Sequence, residues 1–534
     1  MTGRGSFVGW PTLTRLALRR DRVLLTVWVL AFAVMAAISA NATVGLYPTE
    51  LSRIAAADTI NRSAALVALY GRVYDPTSVG ALSMIKLGGF GSVFVALLVI
   101  TIVIRHTRAD EESGRAELVG ATALGRLAPL AAAFLVATIA TTAIAVLTAV
   151  GLIAVGLPVG GSIAFGASWG GVGLAFAAIA AVCAQVSESP RTATSLAAGT
   201  LGFVYVLRAI GDAAEQPSLQ ALRWLSPIGW AQQFRPYAGD RWWVLLITVA
   251  FSAVVGAIAL RIAAGRDLGA GLIRPRPGPP DAGGGLRTTG ALAWRLQRAS
   301  FAAWTVSLVL LGALLGALAS SIGDFLNNPS AREIIRRLGG PHVLSDAFVA
   351  AELGFTALMA TAYGIQTVNR AAAEERAGHA EALLAGSVSR TRWLRSHLGG
   401  ALVGVVVLMI GVGLGAGVAR SISTGHLVEI PRIVAAAIVQ VPAIWIVVTL
   451  AAYAITCSPR LTAVGWSLLA ACVVLGELGA LLGLSHWIMD ASPFAHIPRL
   501  PGGTVTVVPL VVLTAAAGVT VIAATTALRR RDIG

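Results

Sequence analysis

Long apolar runs separated by short polar stretches set the pattern of this chain. Twelve runs of about 18–25 residues are each long enough to cross a bilayer as a helix. They fall at roughly 23–43, 87–104, 127–155, 163–186, 193–211, 242–263, then 301–321, 347–367, 397–419, 432–455, 461–483 and 504–527. The pattern predicts an all-α polytopic membrane protein of about twelve transmembrane helices, because in lipid the backbone must satisfy its own polar groups. The first run is long for the core of a signal peptide. Ala37-Ile38-Ser39 vaguely suggests a cleavage site, but the repeat described next needs this span, which is read as retained.

The polar stretches repeat in order. Arg19-x-x-Arg22 with Trp28 returns as Arg295-x-x-Arg298 with Trp304, shifted by 276 residues. Glu111-x-x-Gly114-x-x-Glu117 with Arg126 returns as Glu375-x-x-Gly378-x-x-Glu381 with Arg390, shifted by 264. Ser189-Pro190-Arg191 returns as Ser458-Pro459-Arg460, and Ser226-Pro227 as Ser492-Pro493. Arg266-Asp267-Leu268-Gly269 returns as Arg531-Asp532-Ile533-Gly534, shifted by 265. One short match would be chance; five in one order at nearly one offset are a duplication. The expected organisation is a first six-helix half over 1–266, a Pro/Gly linker over 267–290 and a second six-helix half over 291–534. Six spans per half give both halves one orientation, a parallel repeat with its pseudo-two-fold axis along the membrane normal.

Composition sharpens this. The chain is 56% hydrophobic and 12% charged, against about 25% charged in a soluble domain, which excludes a soluble enzyme, a disordered chain and a coiled coil. In water the net charge of +15 would suggest nucleic acid. In a membrane it sets orientation: with the N-terminus inside, 26 of the 40 basic residues fall in inside segments, so both termini are expected to be cytoplasmic. Lys86 is the sole lysine. Cys183, Cys457 and Cys472 lie in or beside apolar runs and offer neither a disulfide framework nor a metal spacing.

The segments between spans carry the candidate chemistry. Leu13 to Arg20 mixes apolar and arginine positions, which fits either a short amphipathic helix in the inner interface or a plain basic flank. Leu292 to Arg298 is its counterpart. Residues 105–126 favour helix, with Glu111, Gly114 and Glu117 along one ridge; the segment is either a docking surface or a solvated loop. Its recurrence at Glu375, Gly378 and Glu381 argues for paired docking. Aromatics crowd 224–243, the signature of a membrane interface, and Ser226 to Trp230 is apolar enough to dip back into the bilayer. A P-loop needs Gly-Lys followed by Ser or Thr, and Lys86 follows Ile85. The chain therefore cannot use that motif to hydrolyse ATP.

These features together resemble the membrane subunit of ABC-2-type exporters. Arg266 to Gly271, the Pro-rich linker and Leu292-Ala293-Trp294-Arg295-Leu296 resemble its fused actinobacterial branch of polyketide-antibiotic and multidrug permeases (tetronasin-resistance type). The resemblance implies a plasma-membrane permease that is not itself an enzyme, two copies of a separately encoded ABC ATPase holding ATP and Mg, and export of hydrophobic compounds. It makes 108–126 and 372–390 the coupling helices, with Arg126 and Arg390 at their ends. It places spans 2, 5, 8 and 11 around a central cavity, with Phe90, Phe94, Phe203, Tyr205, Phe355, Met359, Tyr363 and Trp466 as candidate apolar contacts. No cofactor, metal or nucleic acid is expected in this chain; lipids and a hydrophobic small molecule are the other expected partners.

Two other classes remain in play. A proton-coupled secondary transporter of twelve spans would keep ionisable groups near the midplane, whereas the intramembrane charges here sit toward the outer ends. A lipid-modifying enzyme would need an outer-face constellation, and Asp324, Asp346, His342 and His486 are scattered. The charges suggest a gate: the 269 shift carries Arg208 onto Glu477, and the 264 shift carries Lys86 to within two residues of Glu352. Each could pair across the axis or snorkel alone.

Overall fold

A computed structural model of the full chain describes residues 5–120, 122–273, 281, 283, 286, 288–321, 341–478 and 485–531. They contain helices and no strands. Among the described residues, eleven helical stretches are long and apolar enough to cross a membrane. The chain divides into two compact units, Met1–Pro277 and Gly278–Gly534.

In the first unit the spans are α1 (Trp10–Leu46), α4 (Val79–Arg105), α7 (Ala128–Ala154), α8 (Val159–Val186), α9 (Pro190–Ala213) and α12 (Trp243–Gly265). Short helices lie between them: α2 (Glu50–Arg62), α3 (Ala64–Tyr70), α5 (Arg108–Glu112), α6 (Arg115–Gly120), α10 (Pro217–Gln220) and α11 (Pro227–Gln233). Residues 13–20, read as either an amphipathic helix or a basic flank, are the first turns of α1, which runs unbroken for 37 residues. Nothing there breaks a helix: Pro11 sits in its first turn, where its missing N–H costs nothing. The core gathers alanines and β-branched residues of α1, α4, α7 and α8 around Trp169 and Phe176, both fully buried. Close approach depends on small residues: Gly173 packs on Thr141, and Gly91 on the Trp169 ring. Between α9 and α12 the chain forms the short helices α10 and α11. Ser226 Oγ accepts the Gly229 N–H at 3.3 Å to start α11, whose Ile228 is fully buried. Trp224 stacks on Trp243 at 5.6 Å.

In the second unit the spans are α13 (Thr289–Ser321), α14 (Pro341–Arg376), α16 (Arg390–Thr424), α17 with α18 (Glu429–Ile438, Val441–Cys457) and α21 (Val507–Arg530), with short α15 (His379–Leu384) after α14. Pro442 at the start of α18 explains the break inside the fourth span. The expected fifth span, 461–483, is described as α19 (Thr462–Val473) and a π-helical turn, Val474–Leu478; residues 479–484 lie outside the described residues. Gly312 and Gly316 of α13 meet the backbone of Val412 and Ala416 in α16, and Gly415 of α16 meets that of Val309 in α13.

Candidate docking segments and charged networks

The Glu-x-x-Gly-x-x-Glu segments are not single helical ridges. In both units the glycine has positive φ, 70° at Gly114 and 74° at Gly378, and a helix ends just before it. That left-handed conformation suits glycine because it has no Cβ to clash. A Cβ built on either glycine meets nothing within 4 Å, so a sharp turn is the reason for the residue and close packing is not. The turn sends the two carboxylates to different tasks.

The first carboxylate is tied down. Glu111 accepts from Arg266 at 2.7 Å, from Arg108 at 2.8 Å and from the Gly269 N–H at 3.2 Å. Glu375 pairs with Arg531 in the same way. Two repeated sequence motifs thus turn out to be the halves of one interaction: the glutamate after the second span grips the arginine that ends the sixth. A third repeated residue completes it. Arg126 donates to the Arg266 carbonyl, and Arg390 to the Arg531 carbonyl at 2.6 Å. The surroundings differ. In the first unit Arg108, with no counterpart at Ala372, donates to the Ala184 carbonyl at the end of α8. In the second, Arg531 itself donates to Ile455 and Thr456 near the end of α18, at 3.1 and 3.2 Å.

The second carboxylate, Glu117 or Glu381, is exposed on the short helix beyond the turn. Leu118 beside the first is 76% exposed. Of the residues expected to couple, then, Glu111, Arg126, Glu375 and Arg390 face their own unit; Glu117 and Glu381 face away from it.

A histidine bridges the same end of each unit. His106 Nε2 lies 2.6 Å from Asp21, a buried acid of α1 that also pairs with Arg105 at 3.3 Å. In the second unit His397 lies 3.1 Å from Gln297 and 3.1 Å from Glu374. Gln297 is the 276-shifted partner of Asp21, but the histidines come from different spans.

At the opposite end, Arg208 is not the isolated charge that the gate argument assumed. It is fully buried, 3.7 Å from Asp212, and donates to the Ala68 carbonyl at 2.5 Å. Tyr205 and Gln232 donate to the next two carbonyls, Leu69 and Tyr70, at 2.8 and 2.9 Å. Together they cap the C-terminus of α3, where a cation is favoured by the helix dipole. The Arg208 guanidinium also sits 4.5 Å over the Tyr205 ring. Its partners therefore lie inside its own unit. The Glu477 side chain lies outside the described residues.

The second unit has an unrelated network at that end. Asp346 accepts from Arg420 at 3.4 Å and from Arg432 at 2.5 Å, while Glu429 takes Arg420 at 2.9 Å and Arg432 at 3.3 Å. Asp346, read as scattered in the sequence, is its centre; Asp324, and the side chains of His342 and His486, lie outside the described residues. Glu352, farther along α14, has a buried Oε1 without a hydrogen-bond partner among the described residues. Lys86 is exposed on its own unit.

The candidate cavity residues divide. Phe90, Phe94, Phe203, Phe355 and Trp466 are exposed on their own units, Phe203 by 64%. Met359 is partly buried against the second core. Tyr205 serves the α3 cap. Tyr363 is a core residue, 2% exposed and packed on Phe301 and Trp304, so its own unit already uses it.

A family model described as "Multidrug efflux system permease Rv1217c, C-terminal domain" matches residues 12–262 and 286–529. The chain is also 44% identical over 534 residues, 99% of its own length and 96% of the relative's, to the "Multidrug efflux system permease protein Rv1217c" of Mycobacterium tuberculosis.

Proposed function

The chain belongs to the multidrug efflux permease family of that model, and on that premise we propose that it is the membrane-spanning subunit of an ATP-driven exporter. It moves hydrophobic compounds out across the plasma membrane, and two copies of a separately encoded ATPase, holding ATP and Mg, drive it. Both termini face the cytoplasm. The narrower likeness to the tetronasin-resistance branch points to antibiotics and other lipid-like drugs as cargo.

One observation carries this reading: an exposed carboxylate stands three residues beyond a left-handed glycine in each unit, on a turn anchored by a glutamate–arginine pair. A duplicated, rigidly held, outward-facing acidic turn suits two equivalent docking faces. Glu111 and Glu375 do not supply those faces; they hold them.

The test is the double charge reversal Glu117→Arg with Glu381→Arg. Yield of a co-purified P-loop ATPase should fall several-fold, with the permease's own thermal midpoint unchanged. Full ATPase recovery would end the docking assignment. Mass measurement of the intact complex should give two ATPase chains per permease.

Glu352 supports a second reading, proton-coupled transport, because a buried carboxylate inside a span is a common proton carrier. Under that reading Glu352→Gln abolishes efflux and removes its dependence on the proton gradient; under the first, ATP alone sustains efflux.

A further inference from the structure

The end of the first unit that carries Glu111 also holds an open cleft of about 620 Å³, within the size range of ligand sites. Its lining combines two chemistries. Leu13, Leu16 and Ala17 of α1, with Leu130 and Ala263, contribute apolar lining. Arg20, Arg115, Arg126 and Arg266 line it as well, with Asp110 and Glu111. The two carboxylates are already shared: Asp110 takes both Arg20 and Arg115, at 2.8 and 3.3 Å, and Glu111 takes Arg266 and Arg108. The hydrogen bond described for Arg126 goes to a backbone carbonyl. Positive charge is in excess among the charged lining residues, and apolar side chains line the same cleft.

The duplication lets the lining residues be compared with their counterparts in the second unit. The 264 shift carries Pro129, another lining residue, onto Trp393, which is 3% exposed within the second core. The 265 shift carries Ala263 onto Leu528, 1% exposed. Arg20 becomes Leu296 and Arg115 becomes His379. At these positions the second unit has larger buried side chains and fewer guanidinium groups. The first unit has kept the space small residues leave and put arginines around it.

We propose that this cleft binds an anionic phospholipid of the surrounding bilayer, acyl chain against α1 and α7, phosphate among Arg20, Arg115 and Arg126. Charge complementarity selects the occupant: a rim with excess guanidinium groups favours an anionic headgroup over a zwitterionic one, by an amount that grows with each arginine near the surface. An apolar drug would leave the rim uncompensated, and an acidic protein segment would leave the apolar wall uncovered. The proposal does not rest on ATP drive or on the direction of transport.

Native mass spectrometry of the purified full chain, delipidated and then titrated with phosphatidylglycerol or phosphatidylcholine, reads the site directly. Phosphatidylglycerol should be retained about tenfold more tightly. Arg115→Gln, at an exposed rim position, should cut that preference several-fold. Pro129→Trp and, separately, Ala263→Leu install the residues of the second unit and should displace the lipid without removing charge; circular dichroism and the thermal midpoint identify whichever variant keeps the native fold. Equal retention of the two lipids overturns the proposal. So does full phosphatidylglycerol retention in a folded cleft-filling variant. Retention of neither lipid leaves the cleft to a drug or a partner protein and overturns it too.

Discussion

The two ends of the units have aged differently. At the end bearing Glu111 and Glu375, both units keep one three-residue device: glutamate to arginine, and a second arginine to that arginine's carbonyl. At the opposite end, the first unit joins Arg208, Asp212 and the α3 carbonyls, and the second joins Asp346, Arg420, Glu429 and Arg432. These two networks share no equivalent residue. Under the proposed function, the end kept in duplicate would carry a repeated task, and the diverged ends would differ in theirs. Two docking partners at one end and one cargo at the other would divide the work in that way.

The largest effect that can break this comparison lies at the diverged end. Arg208→Met leaves Asp212 with only the more distant Arg223 at 3.9 Å and the C-terminus of α3 without its buried cation, and should cost about 3 kcal/mol. Limited proteolysis between residues 63 and 73, read by mass spectrometry, should become fast in the variant. Resistance equal to wild type would mean that the α3 cap is dispensable.

Next come the anchors. Arg266→Ala and Arg531→Ala should each cost about 2 kcal/mol, the worth of charge-assisted hydrogen bonds at partly buried positions. The exchange Glu375→Arg with Arg531→Glu should recover part of the thermal midpoint lost by either single change. If both arginine variants unfold at the wild-type temperature, the anchor is ornamental and the case for a repeated task fails.

The smallest effect tests the turn itself. Gly114→Ala and Gly378→Ala force a Cβ into left-handed backbone, at about 1–2 kcal/mol each. Since the built Cβ meets no neighbour, the two penalties should be equal, measured by chemical denaturation. A markedly larger loss in one unit would show that its glycine does something beyond turning.

Much of the architecture could be read from the chain because bilayer thickness writes itself into run length, and the duplicated motifs were visible as offsets. Their meeting was not. Glu111 and Arg266 are 155 residues apart, and the available hint was that their motifs shift by nearly the same amount, 264 and 265. Arg208 was misjudged for a different reason. Its partners are backbone carbonyls of a seven-residue helix, too short to register as a periodic pattern, and an aspartate one turn on that the span boundary excluded. The Asp346 network had no sequence signature, since its members come from three helices and are brought together by packing alone. The turn at Gly114 was not legible, because a helical ridge and a helix–turn–helix with a central glycine have the same spacing on paper.

The unbroken length of α1 has a mechanical meaning. At 1.5 Å per residue its 37 residues make a rod of roughly 55 Å. Near one end the rod is bolted to the α4–α5 junction by Arg20 to Asp110 and by Asp21 to Arg105 and His106. If the helix moves as one body, a push on that junction would tilt the whole of α1 and be felt at Leu46. Leverage of this kind costs no refolding, and its stroke is set by where along the shaft the neighbouring helices act as fulcrum.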